Sequence, residues 1–166
     1  YEEYGKPTPK IESILGELLL EKGKKIALAE SCTGGYISHL LTSVAGSSAY
    51  FNGTVVPYHN HFKENIIHIN KETLVQHGAV SSECVEEMSK GVMSTFESDY
   101  AIAVSGIAGP TGGTEEKPVG TVWIAWRNKN KCITEKFIFG NDRGRNIHMT
   151  AITALTRLRR LIVDGF

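Results

Sequence analysis

Two short, almost wholly apolar segments end directly in glycine-rich loops, and this feature most constrains the fold. Residues 25–30 (KIALAE) lead into a Gly34-Gly35 turn, and residues 100–105 (YAIAVS) lead into a loop with four glycines. Apolar runs of this length are typical of strands that are covered on both faces. Such strands need helices on both sides of their sheet, which favours an α/β domain.

The rest of the chain supplies the other elements of such a domain. Apolar residues at helical spacing predict helices over 11–20, from Tyr36 onward, in a short stretch that carries Lys63, from Ser81-Ser82 to Phe96, and from about Ile147 to Val163. Further strands are predicted over 51–57, 119–126 and 132–139, the last two joined as a hairpin at residues 128–130. We therefore expect a three-layer α/β/α sandwich with a mixed, mostly parallel sheet of five or six strands.

The 166-residue length fits one folded domain, which we expect over residues 10–166. Residues 1–9 are polar and are predicted to be an N-terminal tail or an interdomain linker. The chain begins at Tyr1, which fits both a stand-alone protein and a piece of a longer one. Both interpretations stay open.

Charge and cysteine content narrow the expected partners and location. The 18 Lys and Arg residues balance 18 Asp and Glu residues, so we expect no nucleic-acid partner, because such proteins usually carry a basic surplus. No apolar run approaches the ~18 residues that a membrane-spanning helix needs, so no membrane association is predicted. The widely spaced Cys32, Cys84 and Cys132 form no Cys-x-x-Cys pair and predict a reduced, cytoplasmic setting.

The two glycine-rich loops are the candidate site. They hold six of the 17 glycines, namely Gly34, Gly35, Gly106, Gly109, Gly112 and Gly113. In parallel α/β sheets, ligands bind at the carboxyl ends of strands, where a glycine-flanked helix N-terminus offers free amides to an anion. Any one of these glycines is explained by a tight turn, but the two loops together predict an anion-binding site.

Ser31 is the leading candidate for a nucleophile. It follows a strand and precedes the Gly34-Gly35 turn, where its hydroxyl can meet amides able to hold an oxyanion. The alternative is that Ser31 or Thr33 only caps the next helix, since the pattern is not Gly-x-Ser-x-Gly. Cys32 is a rival nucleophile, or else a small core residue.

A serine nucleophile needs a base, and the candidates are His59, His61 and Lys63. Their spacing does not choose among them. Lys63 could act only if burial lowers its pKa toward neutrality. The His59-x-His61 pair lacks a third metal ligand at diagnostic spacing, so no metal site is predicted.

Several longer motifs carry a resemblance to a known family. They are Ala29-Glu30-Ser31-Cys32-Thr33-Gly34-Gly35, Gly78-Ala79-Val80-Ser81, Ser105-Gly106-Ile107-Ala108-Gly109-Pro110 and Lys117-Pro118-Val119-Gly120. With these motifs in this order, the chain from about Leu18 to its last helix resembles the C-terminal domain of CinA, the nicotinamide-mononucleotide amidohydrolase family. The resemblance implies hydrolysis of the carboxamide of nicotinamide mononucleotide to nicotinate mononucleotide and ammonia, with no metal and no cofactor.

The resemblance also implies roles for individual residues. Ser31 would be the nucleophile, Lys63 its base and Tyr58 a gating or proton-relaying hydroxyl. Substrate would be bound by Thr33, Gly34, Gly35, Asn60, Ser105, Gly106, Gly109, Gly112 and Gly113, with Arg143, or in reserve Arg145, as the family's arginine after the fifth strand. That arginine would orient the substrate or keep Lys63 neutral through its positive charge.

The chain departs from the family pattern in two places. His59, His61 and Phe62 replace the familiar Ser, Glu and Ala around Asn60, and residues 146–148 lack a second arginine. The competing hypothesis is a non-catalytic module that binds or senses a nucleotide. For a domain of this size we also expect a homodimer, formed through the sheet edge or the outer helices. The family further implies, in two-domain members, a covalently linked N-terminal nucleotide-binding domain.

Overall fold

In the computed structural model, which describes residues 9–166, a five-stranded sheet lies between two layers of helices. Residues 1–8 of the expected tail or linker lie outside this range. The strands are β1 (Ile26–Glu30), β2 (Phe51–Val55), β3 (Tyr100–Gly106), β4 (Thr121–Arg127) and β5 (Cys132–Ile138), in the order β2-β1-β3-β4-β5. β1 runs parallel to β2 and β3, whereas β4 runs antiparallel to β3 and β5, so only β4 opposes the other four strands. The predicted α/β class with a mixed, mostly parallel sheet is confirmed.

The helices divide between the two faces of the sheet. They are α1 (Ile11–Glu21), α2 (Tyr36–Thr42), α3 (Asn60–Ile67), α4 (Lys71–His77), α5 (Ser82–Thr95) and α6 (Arg143–Val163). α1 and α2 pack with α6 on one face, and α3 and α4 pack with α5 on the other. The site lies where loops from both layers meet the carboxyl ends of β1 and β3.

Several predicted boundaries differ from the structure. β4 begins at Thr121, two residues after the expected start at residue 119. β2 ends at Val55, before the expected limit at residue 57. The single helical stretch expected before α5 is two helices, because His68 adopts a left-handed conformation that ends α3. α6 begins at Arg143 and not near Ile147, since the Asp142 side chain accepts the amide hydrogen of the third helical residue and caps the helix one turn earlier. Apolar periodicity could not reveal that polar first turn.

The two faces of the sheet carry side chains of different size. The face toward α1, α2 and α6 carries large residues, namely Ile26, Leu28, Ile102, Val104, Ile124 and Trp126. The face toward α3, α4 and α5 carries alanines, namely Ala27, Ala29, Ala101, Ala103 and Ala125. This follows from the alternation of side chains along a strand. The alanine face lets α5 pack closely across β1, β3 and β4.

α3 in turn packs closely on α5 through Gly91. A methyl group added at Gly91 would lie 2.2 Å from the carbonyl oxygen of Ile67, far inside van der Waals contact. Only glycine therefore permits this approach between the two helices. Because α3 carries Lys63, the contact helps to fix the height of the lysine above the sheet.

Gly91→Ala is predicted to destabilise the domain although alanine is the better helix former. The propensity gain of about 1 kcal/mol is opposed by the clash with the Ile67 carbonyl, since overpacking typically costs about 1–3 kcal/mol. We expect urea denaturation to show a net loss against the control Ser94→Ala, an exposed position on the same helix. A Gly91→Ala variant at least as stable as that control would contradict the packing described.

Candidate active site

The end of β1 sends two neighbouring side chains to opposite sides of the sheet. Along this strand Leu28 faces the layer of α2 and α6, and Ala29 faces the layer of α3 and α5. Glu30 continues the first set, and its carboxylate reaches α2. Ser31 continues the second set, and its hydroxyl reaches Lys63 of α3. The alternation of one strand thus supplies a carboxylate to one layer and a hydroxyl to the other.

The Lys63 amine is buried and surrounded by three oxygen atoms. Its side chain is 1% exposed. Its Nζ lies 3.2 Å from the Ser31 Oγ, 2.8 Å from the Pro57 carbonyl oxygen and 3.2 Å from the Tyr58 carbonyl oxygen. The two carbonyls belong to the segment that leads into α3, so the helix and its entry segment together hold the amine against the serine.

This environment favours a neutral lysine. Burial lowers the pKa of Lys63 below its ordinary value of 10.5, because the ammonium ion is poorly solvated there. A neutral amine has two N–H donors and one lone pair. When the Pro57 and Tyr58 carbonyls accept the two hydrogens, the lone pair faces Ser31 Oγ. The pair can then pass the serine proton to the amine.

Glu30 forms the other half of the turn. Its carboxylate is fully buried, and each of its two oxygens accepts two hydrogen bonds. One oxygen accepts the Ile37 amide at 3.0 Å and the Thr33 hydroxyl at 2.7 Å. The other accepts the Ser38 amide at 2.8 Å and the Ser38 hydroxyl. Glu30 therefore caps α2 across the intervening turn.

This cap corrects the alternative that Ser31 or Thr33 only caps α2. The residue at the N-cap position is Gly35, which provides no side-chain cap, and the capping oxygens come from Glu30. Ser31 is thereby left to face Lys63. Because the Ser31 hydroxyl does not cap α2, it is available for chemistry.

The open helix N-termini expected at the two glycine-rich loops are not found. In the first loop, the first-turn amides of Ile37 and Ser38 are already donated to Glu30. The second loop, residues 106–113, leads into β4 and not into a helix. An anionic ligand here would have to use other donors, such as loop amides or arginine side chains.

Burial makes Cys32 a poor rival to Ser31. It raises the pKa of the Cys32 thiol to about 12 and that of Cys84 to about 11. The reactive form of cysteine is the thiolate, and both thiols stay protonated near neutral pH. The side chain of Cys32 is only 6% exposed and belongs to the hydrophobic core, as its alternative interpretation predicts.

Arg143 links the second loop to the segment that holds Lys63. Its guanidinium donates to the Gly109 carbonyl at 2.8 Å and to the Tyr58 hydroxyl at 3.0 Å. Tyr58 thus contributes twice, with its carbonyl to Lys63 and its hydroxyl to Arg143. The lowered pKa of Lys63 arises from burial and not from the charge of Arg143.

The other residues predicted to bind substrate lie on four separate parts of the chain. Gly34 and Gly35 form the turn after β1, with φ of 60° and 97°. Ser105 and Gly106 end β3, and Asn60 begins α3. Gly112 and Gly113 are exposed in the second loop, and Arg145 is exposed in the first turn of α6. Thr33 is nearly buried, and its hydroxyl hydrogen is committed to Glu30. To a ligand it can offer its hydroxyl oxygen only as an acceptor, so a donor from Thr33 would have to be its backbone amide.

Of the three candidate bases, Lys63 is the one whose side chain contacts Ser31. His59 caps α3 by accepting the His61 amide at 3.2 Å, and the His61 ring lies beside Asn65. Both histidines are exposed. The topology therefore brings Lys63, and neither histidine side chain, into contact with Ser31, which the spacing of residues could not predict.

Sequence reasoning missed two polar residues that shape the site. Glu30 has no predicted role beyond ending an apolar strand and belonging to a family motif, although a charged residue in that position is itself a signal. Asn146 of α6 is buried, and its amide group donates to the carbonyls of Ala108 and Gly140 at 3.0 Å each. It fastens the second loop to the start of α6, near Arg143.

Two kinds of feature are absent from residues 9–166. In that range, no three or more His, Cys, Asp or Glu side chains come together as metal ligands. No helix of the described part of the chain is long and apolar enough to cross a membrane. The His59-x-His61 pair therefore has no third protein ligand within the described residues.

An α/β sandwich with a buried Ser–Lys pair at the carboxyl ends of its strands defines the class of this domain, and comparisons identify the family. A family model described as the CinA C-terminal domain matches residues 8–162. A CinA-like protein of Cytophaga hutchinsonii is 49% identical over 161 residues, which cover 97% of this chain and 38% of that protein. A putative competence-damage inducible protein of Halothermothrix orenii is 43% identical over 164 residues, covering 98% of this chain and 40% of that protein.

Solved structures of CinA-type proteins have the same fold as this chain. A CinA superfamily protein from Klebsiella pneumoniae has a TM-score of 0.90 at 34% identity, covering 93% of this chain and 96% of that one. The competence/damage inducible protein CihA from Agrobacterium tumefaciens has a TM-score of 0.87 at 35% identity, covering 95% and 99%. The chain belongs to the CinA family, in which it corresponds to the C-terminal domain. It spans less than half the length of the curated relatives named above, and none of these names specifies a reaction.

The lowered pKa of Lys63 makes a prediction about stability. Between that pKa and 10.5, the unfolded chain holds the Lys63 proton more often than the native protein does, so this group makes the free energy of unfolding rise with pH. Lys63→Met removes this contribution. We expect urea denaturation to show wild type gaining stability relative to Lys63→Met as pH rises from neutral toward 10.5. Parallel stability curves would mean that the pKa of Lys63 is not lowered.

Proposed function

We propose that this domain hydrolyses the carboxamide of nicotinamide mononucleotide to nicotinate mononucleotide and ammonia. The observation that carries the proposal is the buried Lys63 amine, 3.2 Å from the Ser31 hydroxyl, with two carbonyls at its remaining positions. This arrangement suits a general base that works on a serine nucleophile. The substrate is suggested by the family resemblance, and the chemistry by the site.

In the first half of the proposed reaction, Ser31 Oγ attacks the carboxamide carbon while its proton passes to Lys63 Nζ. The carbonyl oxygen then becomes an oxyanion. As the tetrahedral intermediate collapses, Lys63 returns the proton to the departing nitrogen, which leaves as ammonia. The nicotinate acyl group remains on Ser31 as an ester.

In the second half, water attacks the ester and gives one proton to Lys63, which passes it to Ser31 Oγ as the carboxylic acid leaves. The acid then releases the second proton of the water to the solvent and becomes the carboxylate. The oxyanion of each half needs backbone donors. Ser31, Gly34 and Tyr36 already donate their amide hydrogens within the chain. We therefore assign the oxyanion to the amides of Cys32, Thr33 and Gly35.

We assign the nucleotide portion of the substrate to the second loop and the start of α6. Gly106, Gly109, Gly112 and Gly113, with Ser105, form or border the loop that would hold ribose and phosphate. Arg145 is exposed and available as a charged donor to the phosphate. Arg143, already bonded to Gly109 and Tyr58, would orient the loop toward substrate. Asn60 would contact substrate from the first turn of α3.

Other expectations about the protein stay proposals. The three free thiols, Cys32, Cys84 and Cys132, support a reducing, cytoplasmic setting. The homodimer stays a prediction from the size of the domain, and the additional nucleotide-binding domain stays a prediction of the family resemblance. A non-catalytic nucleotide-binding module is the competing function, and the next experiment separates it from the amidohydrolase.

Ser31→Ala is predicted to abolish ammonia release from nicotinamide mononucleotide while leaving its binding measurable. The variant removes the nucleophile but keeps the turn, because Glu30 holds the turn without using the serine hydroxyl. Ammonia release and calorimetric binding are measured in parallel, with the exposed Ser48→Ala as the control. Binding without ammonia release in the wild type would make this a sensing module. Retained activity in Ser31→Ala would move the nucleophile elsewhere.

Lys63→Ala is predicted to lower kcat by at least ~100-fold, the scale of general-base catalysis. His59→Ala and His61→Ala are matched controls, because both histidines are exposed and neither side chain contacts Ser31 among the described contacts. We expect their kcat values to stay close to that of wild type. A small loss in Lys63→Ala with a large loss in either histidine variant would reassign the base.

A further inference from the structure

We propose that Glu30 is the positioning residue of the nucleophile, holding Ser31 where Lys63 can take its proton. This inference rests on the proposed Ser31–Lys63 chemistry. Glu30 touches neither substrate nor reacting atoms in that scheme. Its carboxylate instead fixes the path of the chain on both sides of the serine turn.

The carboxylate closes the turn at two points. It binds the Thr33 hydroxyl inside the turn and the Ile37 and Ser38 amides at its far end. Its own backbone belongs to β1, where Glu30 is paired with Val104 of β3. Strand and helix are thus joined directly, and the five residues from Ser31 to Gly35 must span a fixed gap.

This closure has a consequence for Ser31 because Gly34 and Gly35 are both in left-handed conformations. Glycine residues adopt many other backbone conformations at little energetic cost, so the two glycines alone do not hold the turn in this conformation. The contacts of Glu30 hold it there. Without them, the serine hydroxyl would lose its fixed distance of 3.2 Å to the Lys63 amine.

The chemistry of the four partners makes an isosteric substitution informative. Glutamine has the shape of glutamate, but one of its two terminal atoms is an NH₂ donor. Each Glu30 oxygen faces one backbone N–H, from Ile37 or from Ser38. Hydroxyl groups can rotate to accept a hydrogen bond, but a backbone N–H cannot. Either orientation of the glutamine amide therefore sets a donor against a donor.

Glu87 offers a matched control on the opposite layer. It also accepts one backbone amide, from Asn70 at 2.7 Å, and one hydroxyl, from Thr73 at 2.6 Å, but on separate oxygens. In Glu87→Gln the amide NH₂ can face the Thr73 hydroxyl, whose oxygen can accept. The substitution keeps a satisfied arrangement there, and Glu87 lies outside the proposed machinery.

The experiment compares Glu30→Gln with Glu87→Gln in crystal structures, thermal unfolding and steady-state kinetics. We expect Glu30→Gln to separate Ser31 Oγ from Lys63 Nζ beyond hydrogen-bond range and to lower kcat on the order of 100-fold, as small misplacements of reacting groups do. KM and the pH midpoint of kcat should change little, because Lys63 keeps its burial. A merely structural role would lower the unfolding temperature and leave kcat of the folded enzyme intact.

A second variant guards against a Glu30→Gln protein that does not fold. Ser38→Ala removes one hydroxyl donor to Glu30 and keeps the backbone amide. We expect a milder kcat loss of about 3- to 10-fold, the effect of one hydrogen bond.

The structural readout decides the inference independently of the substrate. If wild type releases no ammonia from nicotinamide mononucleotide, the proposed function fails, while the distance between Ser31 and Lys63 in Glu30→Gln still tests Glu30. Loss of that contact supports the positioning role. Retention of the 3.2 Å contact in Glu30→Gln would overturn it.

Discussion

A lysine amine buried beside a serine hydroxyl is the interaction on which the rest of this structure depends. An unpaired ammonium in such a place is costly, so the chain must surround Lys63 with acceptors or let it become neutral. Two carbonyls before α3 accept its hydrogens, and burial lowers its pKa, which favours the neutral form. The alanine face of the sheet and the glycine contact between α3 and α5 provide the close packing that this burial requires.

The turn after β1 divides two tasks between adjacent residues. Strand alternation sends Glu30 toward α2 and Ser31 toward α3. The carboxylate satisfies the amides at the start of α2, and the hydroxyl remains free to meet Lys63. The first-turn amides of α2, which the sequence predicts as an anion site, therefore already donate to Glu30. Recognition of a phosphate passes to Arg145 and the loop amides in our proposal.

The strands, the layer order and the two loops could be predicted because short apolar runs and glycine clusters are local signals. The choice of Lys63 could not be made from spacing, since the residue lies 32 positions from Ser31 and lysines are rarely buried. The assignment of Lys63 as the base comes from the family resemblance, and its contact with Ser31 supports it. The helix caps formed by Glu30 and Asp142 could not be predicted, because each depends on the direction of a polar side chain that lies outside the helix it caps.

The most direct test of a neutral lysine base is a titration of the Lys63 side chain itself. Nitrogen-15 labelling of lysine, with Lys63→Met to assign the signal, lets NMR follow protonation of the Nζ in the ligand-free protein. We expect a pKa below 10.5 for Lys63, because burial disfavours the ammonium ion. A Lys63 pKa at or above 10.5 would contradict the general-base role.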